Sequence, residues 1–292
     1  MNKKLLNLAV AVGAVLAASM ATAEPIRVLT SLPVTHGLGS ALLQGTKVEV
    51  VRAAPARLPA SRQISYFSGR GAGALEKAAN EADAVIALRS LWPDDPLYPM
   101  ARRSNIRIVE VDAARPVDGA LPGIALRSQS GDALAEQPWL SSNNLGRMAD
   151  VMAADLVRLS PDDSQQIATN LAQIKQRLLT LSAENESRLA QLDNLSVASL
   201  SPGFEYLTTS LNLDVIELPE GEQGENQAAL LQSALEDNDV RLVLSDRPVD
   251  EALQAVLQEA GAQLLVIDAS SDEPVTALAE ITDQVIDGLS RQ

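Results

Sequence analysis

Ser160-Pro161-Asp162-Asp163-Ser164-Gln165-Gln166-Ile167 opens the stretch whose reading decides the fold, and Leu189-Ala190-Gln191-Leu192 closes it. Ser160 is a good N-cap, Pro161 suits the first helical position, and the two acids favour the positive end of a helix. Apolar residues follow at Ile167, Leu171, Ile174, Leu178 and Leu181, then at Leu189 and Leu192. That is a helical period, and no Gly or Pro interrupts it before Pro202. A helix of about 31 residues reaches roughly 46 Å at 1.5 Å per residue. A lobe of about 120 residues has a radius of gyration near 13–14 Å, so the helix outruns it. Residues 160–193 therefore read as a rigid spine joining two lobes, with a coiled coil or an edge helix as the plainer alternative.

On both sides of the spine, short β-branched runs alternate with helical patterns. Strands are expected at Ile26–Thr30, Val48–Val51, Ala84–Leu88 and Ile106–Val111 before it. After it they are expected at Ser196–Leu200, Asp214–Leu218, Val240–Ser245 and Gln263–Ile267. Helical patterns lie near residues 34–43, 71–82, 96–103, 225–237 and 248–260. Such alternation predicts an α/β protein of parallel, doubly wound sheets. The uninterrupted apolar runs Ala84–Leu88 and Leu264–Ile267 predict sheets covered on both faces. The expected organisation is an N-terminal α/β lobe over 24–159, the spine over 160–193, and a C-terminal α/β lobe over 194–292.

The remaining composition narrows the function. Of 292 residues, 38 are acidic and 23 basic, a net charge of -15, which leaves no basic face for nucleic acid. There is no cysteine, so disulfides, thiolate metal sites and N-terminal Cys lipidation are absent. The single histidine, His36, rules out a site built from several imidazoles. Residues 1–23 read as a cleaved secretory signal: Lys3 and Lys4, an apolar run from Leu5 to Ala18, then Ala21-Thr22-Ala23. The run is too short to span about 30 Å of hydrocarbon. A periplasmic, unlipidated protein is expected.

Several segments resemble the periplasmic solute-binding proteins of zinc/manganese-type ABC transporters, which have a helical backbone between their lobes. Ile26–Pro33 resembles the family's first strand and Pro turn, and Leu75–Ile86 its helix and following strand. Pro138-Trp139-Leu140 with Asn144 resembles the segment written D-P-H-x-W-L-D-P-x-N. Phe204-Glu205-Tyr206-Leu207 resembles the F-x-Y run after the third ligand motif, and Leu265–Asp268 the strand that ends on a ligand Asp. The resemblance implies a monomer that binds a divalent metal ion as cargo in the interlobe cleft and docks on an ABC permease in the inner membrane.

The same alignment places the family's three histidine positions on Ile64, Gln137 and Ser201, with Gln63 and Arg62 beside the first; Asp268 alone is retained. Zinc favours about four N, S or O ligands, and neutral oxygens serve it poorly. Three cation-ligand candidates remain. Asp268 ends a strand, although a strand-end Asp also caps turns. His36 follows the first strand, although it equally suits a solvated helix start. Asp246 follows a strand beside Arg247, which offers it a local ion pair. If a cation binds directly, Asp268 is expected to be its main anionic ligand, with His36 assisting. Glu205 is a weaker candidate on a helix face. Gly69-Arg70-Gly71-Ala72-Gly73 opens a helix, so Arg70 is a possible anion contact, or the stretch is simply a loop. Asp94 and Asp95 read as helix caps. No Gly-x-Ser-x-Gly elbow or His cluster is present, so an enzyme is not expected. Two other readings keep the fold: cargo in the form of a metal chelate or small anionic solute, or a non-transport interaction protein that has lost metal binding.

Overall fold

The computed structural model describes residues 25–116, 121–126, 134–218 and 225–290. The expected signal segment lies outside the described residues. The N-terminal lobe carries four strands: β1 (Arg27–Thr30), β2 (Glu49–Arg52), β3 (Ala84–Ala87) and β4 (Val109–Asp112). The C-terminal lobe carries β5 (Ser196–Ser199), β6 (Asp214–Ile216), β7 (Leu242–Ser245) and β8 (Gln263–Val266). Both sheets are wholly parallel, with orders β2-β1-β3-β4 and β6-β5-β7-β8. The protein is an α/β pair of doubly wound sheets, and each expected strand is present, shortened or shifted by a few residues.

The helices of the first lobe are α1 (Pro33–Leu42), α2 (Gln63–Ser68), α3 (Ala72–Asn80) and α4 (Leu97–Ser104). Then come α5 (Ser142–Leu159) and the spine α6 (Ser164–Leu189), which a 3-10 turn at Pro161–Asp163 introduces. Ser160 sits where a cap was expected, but its hydroxyl donates to Asp163 Oδ2 at 2.7 Å instead of accepting a backbone N–H. The second lobe holds α7 (Glu205–Ser210), α8 (Glu225–Asp237), α9 (Glu251–Glu259) and α10 (Pro274–Ser290).

Alternation along the strands sorts the core. Val28 and Ile86 face one way, into a cluster that includes α5 residues Met148 and Met152; Leu29 and Val85 face the other, toward Phe67, Leu75 and Leu97. The first cluster does not stop at the lobe boundary. It continues through Ile174 and Leu178 of the spine to Val197, Leu242 and Leu244 of the second sheet. Ala198 and Val243 point away, toward Leu231, Leu235 and Leu257. The inner faces of the two sheets thus share one core, while each outer face has its own.

Two helices accompany the spine. Lys175 pairs with Asp150 at 2.8 Å, so α5 returns antiparallel against α6. Arg177 donates to Thr276 and Arg188 pairs with Asp283 and Asp287, so α10 runs parallel beside it. Helix α10 starts against the first lobe and ends on the second. A Cβ on Gly37 of α1 would lie 2.2 Å from the Asp272 carbonyl oxygen, and one on Gly288 would lie 2.9 Å from Leu242. Only a residue without a side chain lets α1 approach the loop before α10 this closely. The spine also seats two buried amides that its apolar period does not reveal, Asn170 and Asn185. Asn170 Nδ2 donates at 2.8 Å to the carbonyls of Leu42 and Gln44, closing the end of α1.

The expectation of two-sided cover holds for β3, which is buried at all four positions. It fails at β8, an edge strand whose Gln263 and Val266 are exposed. Edge position, which composition does not encode, separates the two runs.

Candidate functional site

In a doubly wound sheet the natural ligand site lies beyond the carboxyl ends of the strands, where the strand order reverses. Here the reversals fall between β1 and β3 and between β5 and β7. The second is marked by a side-chain bond: Ser201, just after β5, donates to Asp246 Oδ1 at 2.7 Å, and Asp246, just after β7, returns its backbone N–H to Ser201 Oγ. A cleft of about 650 Å³ opens between the lobes at this level. The N-terminal lobe supplies Leu32–Val34 after β1 and the loop 56–61 after β2; the C-terminal lobe supplies Asp246 and Ser270. Gln137 and Trp139, from the segment before α5, close a further side. A larger cavity of about 890 Å³ lies entirely on the second lobe, between the ends of β5 and β6, and receives nothing from the first.

The expected site residues scatter over this geometry. Asp246 lines the cleft, half exposed, with Arg247 Nε 3.9 Å from its Oδ1. Asp268 is exposed, and its Oδ1 accepts the Ser270 backbone N–H at 2.9 Å, the ordinary turn role of a strand-end aspartate. His36 lies on α1, half-buried, sharing a 2.9 Å hydrogen bond with Thr30 through Nδ1. Burial holds its pKa below the usual histidine value; the Arg52 guanidinium adds to this, and Asp272 works against it. Those two charges form an ion pair across the lobes, Arg52 from the end of β2 and Asp272 from the loop after β8. Among the described residues no group of three or more His, Asp or Glu could hold a metal ion. Asp268, His36 and Asp246 are therefore not assembled as the cation site the sequence suggested. Each carries a different local bond, His36 on α1, Asp246 after β7 and Asp268 after β8.

The three substituted ligand positions fare differently. Ile64 is 46% exposed on α2. Its neighbour Gln63 is fully buried and donates to the Ser31 carbonyl at 3.2 Å, with Oε1 left without a partner. Gln137 takes a left-handed backbone, φ 49°, which aims it at the turn carrying Gly203. A Cβ on Gly203 would lie 2.8 Å from Gln137 Nε2 and 3.0 Å from the Ala135 carbonyl oxygen, so the two segments pack closely. Gln137 thus packs on the turn at Gly203 and lines the same cleft as Asp246, to which Ser201 is bonded, whereas Ile64 is exposed.

Arg70 is exposed and lies over the Tyr66 ring at 5.4 Å. It is not among the residues that line the interlobe cleft. Asp95 is a buried cap for α4: it accepts N–H groups from Leu88 and Leu97, and burial raises its pKa. Glu205 lines the one-lobe cavity. Three residues escaped the reading of the sequence: Arg57, which lines the cleft, and the cross-lobe pair Arg52–Asp272. The signal for Arg57 was available, since a lone arginine in the loop after a strand sits where ligands bind.

The architecture agrees with what comparison with known proteins finds. The sequence model of the family described as ZnuA, zinc-uptake complex component A periplasmic, matches residues 76–289. The chain belongs to this family. Comparison with curated proteins by sequence gives no match. Among solved structures, ZnuA is similar at a TM-score of 0.66 and 20% identity, covering 90% of this chain and 98% of its own. An FpvC mutant from Pseudomonas aeruginosa gives 0.70 and 20%, covering 91% and 100%. The metal-dependent lipoprotein YcdH from Bacillus subtilis gives 0.65 and 16%, covering 90% and 99%. At these identities the likeness carries the fold, and the zinc-uptake family membership rests on the sequence match. No described helix is long and apolar enough to cross a membrane.

Proposed function

We propose that this protein is the cargo-binding component of an ABC-type uptake system. It captures a small solute between its lobes outside the inner membrane and presents both lobes to an ABC permease. The observation that carries this reading is the cleft itself, in which loops after β1, β2, β7 and β8 of two separate sheets converge on one space. The shared core and the parallel α10 limit the lobes to small relative movements, as a clamp and not a wide hinge. Family membership supports a metal-type cargo, and a solved FpvC relative is described in complex with Ni²⁺. The donor set in this cleft is poor for a bare zinc ion: Asp246 and Gln137 line it, and the nearby Ser201 hydroxyl is already bonded to Asp246. Calorimetry with Zn²⁺ and Mn²⁺ should accordingly show weak binding.

The reading includes export. Intact mass of protein from the periplasm should show a mature chain beginning at Glu24. Native mass spectrometry of the same sample, before and after a chelator, tests the cargo role. A bound mass lost on unfolding is the expected result. A protein retained in the membrane with its first 23 residues, or one that never carries a small molecule and whose deletion leaves uptake unchanged, would defeat the proposal.

A further inference from the structure

The cleft suits an organic cargo better than a bare ion. Its volume of about 650 Å³ falls in the range of small-molecule sites, roughly 300–1,000 Å³. Its walls have the matching character: apolar surface from Leu32 and Leu58, the Trp139 ring, and a few separated polar groups, Arg57, Gln137 and Asp246. A bare ion wants the opposite, several anionic or imidazole donors converging on one point, and no such group exists among the described residues.

The polar groups are also open to a ligand. Arg57 is exposed and forms no ion pair or hydrogen bond with the described residues, although every other charged cleft group is engaged. The guanidinium is a planar fork that pairs two donors with one carboxylate. Across the cleft, Ser201 holds Asp246 by Oδ1 and leaves Oδ2 free to accept from a hydroxyl or ammonium, or to meet a metal that a chelate brings with it. Trp139 and Gln137 line the same cleft.

We infer that the cleft binds a small organic molecule bearing a carboxylate, taken either as the free acid or as the organic part of a metal chelate, with that carboxylate on Arg57 and its opposite polar end at Asp246. The inference rests on the cleft-binding reading above and names the class of its cargo. It gives Arg57 a recognition role that the replaced histidine positions do not need.

The test uses the mature protein and three probes of graded bulk, citrate, histidine and salicylate. Each is titrated alone and with equimolar Fe³⁺ or Zn²⁺, with both metals also tested by themselves, reading thermal shift and calorimetry. At least one carboxylate should bind with a saturable upward shift in Tm. Binding without metal identifies the free acid as the source, and binding only in the metal-loaded series identifies the chelate. Arg57→Gln should weaken that binding tenfold or more, while the equal charge change Arg103→Gln on exposed α4 leaves it intact. Arg57 sits in an exposed loop, so the variant should fold normally, as circular dichroism would check. Tight 1:1 binding of a metal alone, indifferent to Arg57→Gln, would overturn the inference and leave the cleft as a cargo site. No response to any probe, together with native mass spectra free of small molecules, would overturn the cleft reading as well.

Discussion

The two lobes repeat one strand order and finish it differently. In the N-terminal lobe the groups at the strand ends, Arg57 apart, are largely buried and already bonded: Thr30 with His36, Ser31 with Gln63, Arg52 with Asp272. In the C-terminal lobe they are acidic and open, with Asp246 and Asp272 each about half exposed and Asp268 exposed as well. A metal site of the family type needs matched donors from both walls. Here one wall of the cleft offers apolar surface and a single arginine while the other offers the one carboxylate of Asp246, which is the pattern of a pocket that orients a molecule with two different ends. The repeat therefore supplies the place for a site, and the unlike walls decide what the site can hold.

The largest test of this comparison concerns the core that the lobes share. The chain has two phenylalanines, one per lobe. Phe204 is fully buried in the continuous inner core, whereas Phe67 packs in the outer cluster of the first lobe. Phe204→Ala should cost about 3–5 kcal/mol in urea unfolding, the usual range for a buried phenylalanine. Because the inner core is common, that loss should appear as one transition, with hydrogen-exchange protection falling in both lobes. Two separated transitions would show that the lobes fold as independent units. Phe67→Ala should lower protection chiefly around β1 and β3.

The next effect tests the seam between spine and first lobe. Asn170→Ala removes the donor to Leu42 and Gln44, leaving the buried Leu42 carbonyl at the end of α1 unpaired. A loss of about 1–3 kcal/mol is expected, the cost of an unmet buried polar group. The same change at exposed Gln165 should be nearly silent in the same unfolding assay.

Asn170 also marks the limit of what the sequence discloses. The spine, all eight strands and five of the helices could be read from period and turn chemistry, because those signals are local. Helices α5 and α10 were not foreseen, although Leu145, Met148, Met152 and Leu156 have helical spacing, Ser141 stands at the N-cap of α5 and Pro274 opens α10. A buried Asn reads as a break in an apolar stripe until its partner, more than a hundred residues away, is known. The site was less legible for the same reason. Asp268 kept its residue type and its strand-end position, yet its carboxylate turns back onto Ser270. His36 kept the right neighbourhood but is bonded to Thr30. Sequence position places a residue near a cleft; the local hydrogen bonds decide whether its side chain is free to use it.

The pH response gives a smaller contrast. His36 belongs to the N-terminal lobe, and burial together with Arg52 lowers its pKa. A group whose folded pKa is depressed contributes stability above its unfolded value, near 6.5, and loses it as pH falls through the folded value. Tm should therefore decline as pH drops below about 6.5, and His36→Gln should flatten that part of the profile. Asp95 has the opposite sign. Its pKa is raised by burial, so its contribution is present at low pH and fades as pH rises through the folded value. An unchanged slope below pH 6.5 in His36→Gln would show that burial and Arg52 do not depress the ring's pKa as the structure places them.

The weakest expected effect separates a structural tie from a visible one. Arg188 on the spine reaches both Asp283 and Asp287 of α10, which looks like a rivet holding the two parallel helices. All three side chains are more than a third exposed, so water and salt screen the attraction and ordering the side chains costs entropy. Arg188→Gln should change stability by less than about 1 kcal/mol, and the difference should vanish near 1 M salt. The cross-lobe pair Arg52–Asp272 is the informative partner measurement, because Arg52 is only 15% exposed and its second nitrogen is buried without a partner. Losing Asp272 would leave that guanidinium buried and unpaired, a penalty that screening relieves poorly. Asp272→Asn should thus cost more than Arg188→Gln and keep most of its cost in high salt. If both losses are equal and both vanish with salt, the lobes are joined by their apolar core alone, and the charges lie on a seam they do not hold.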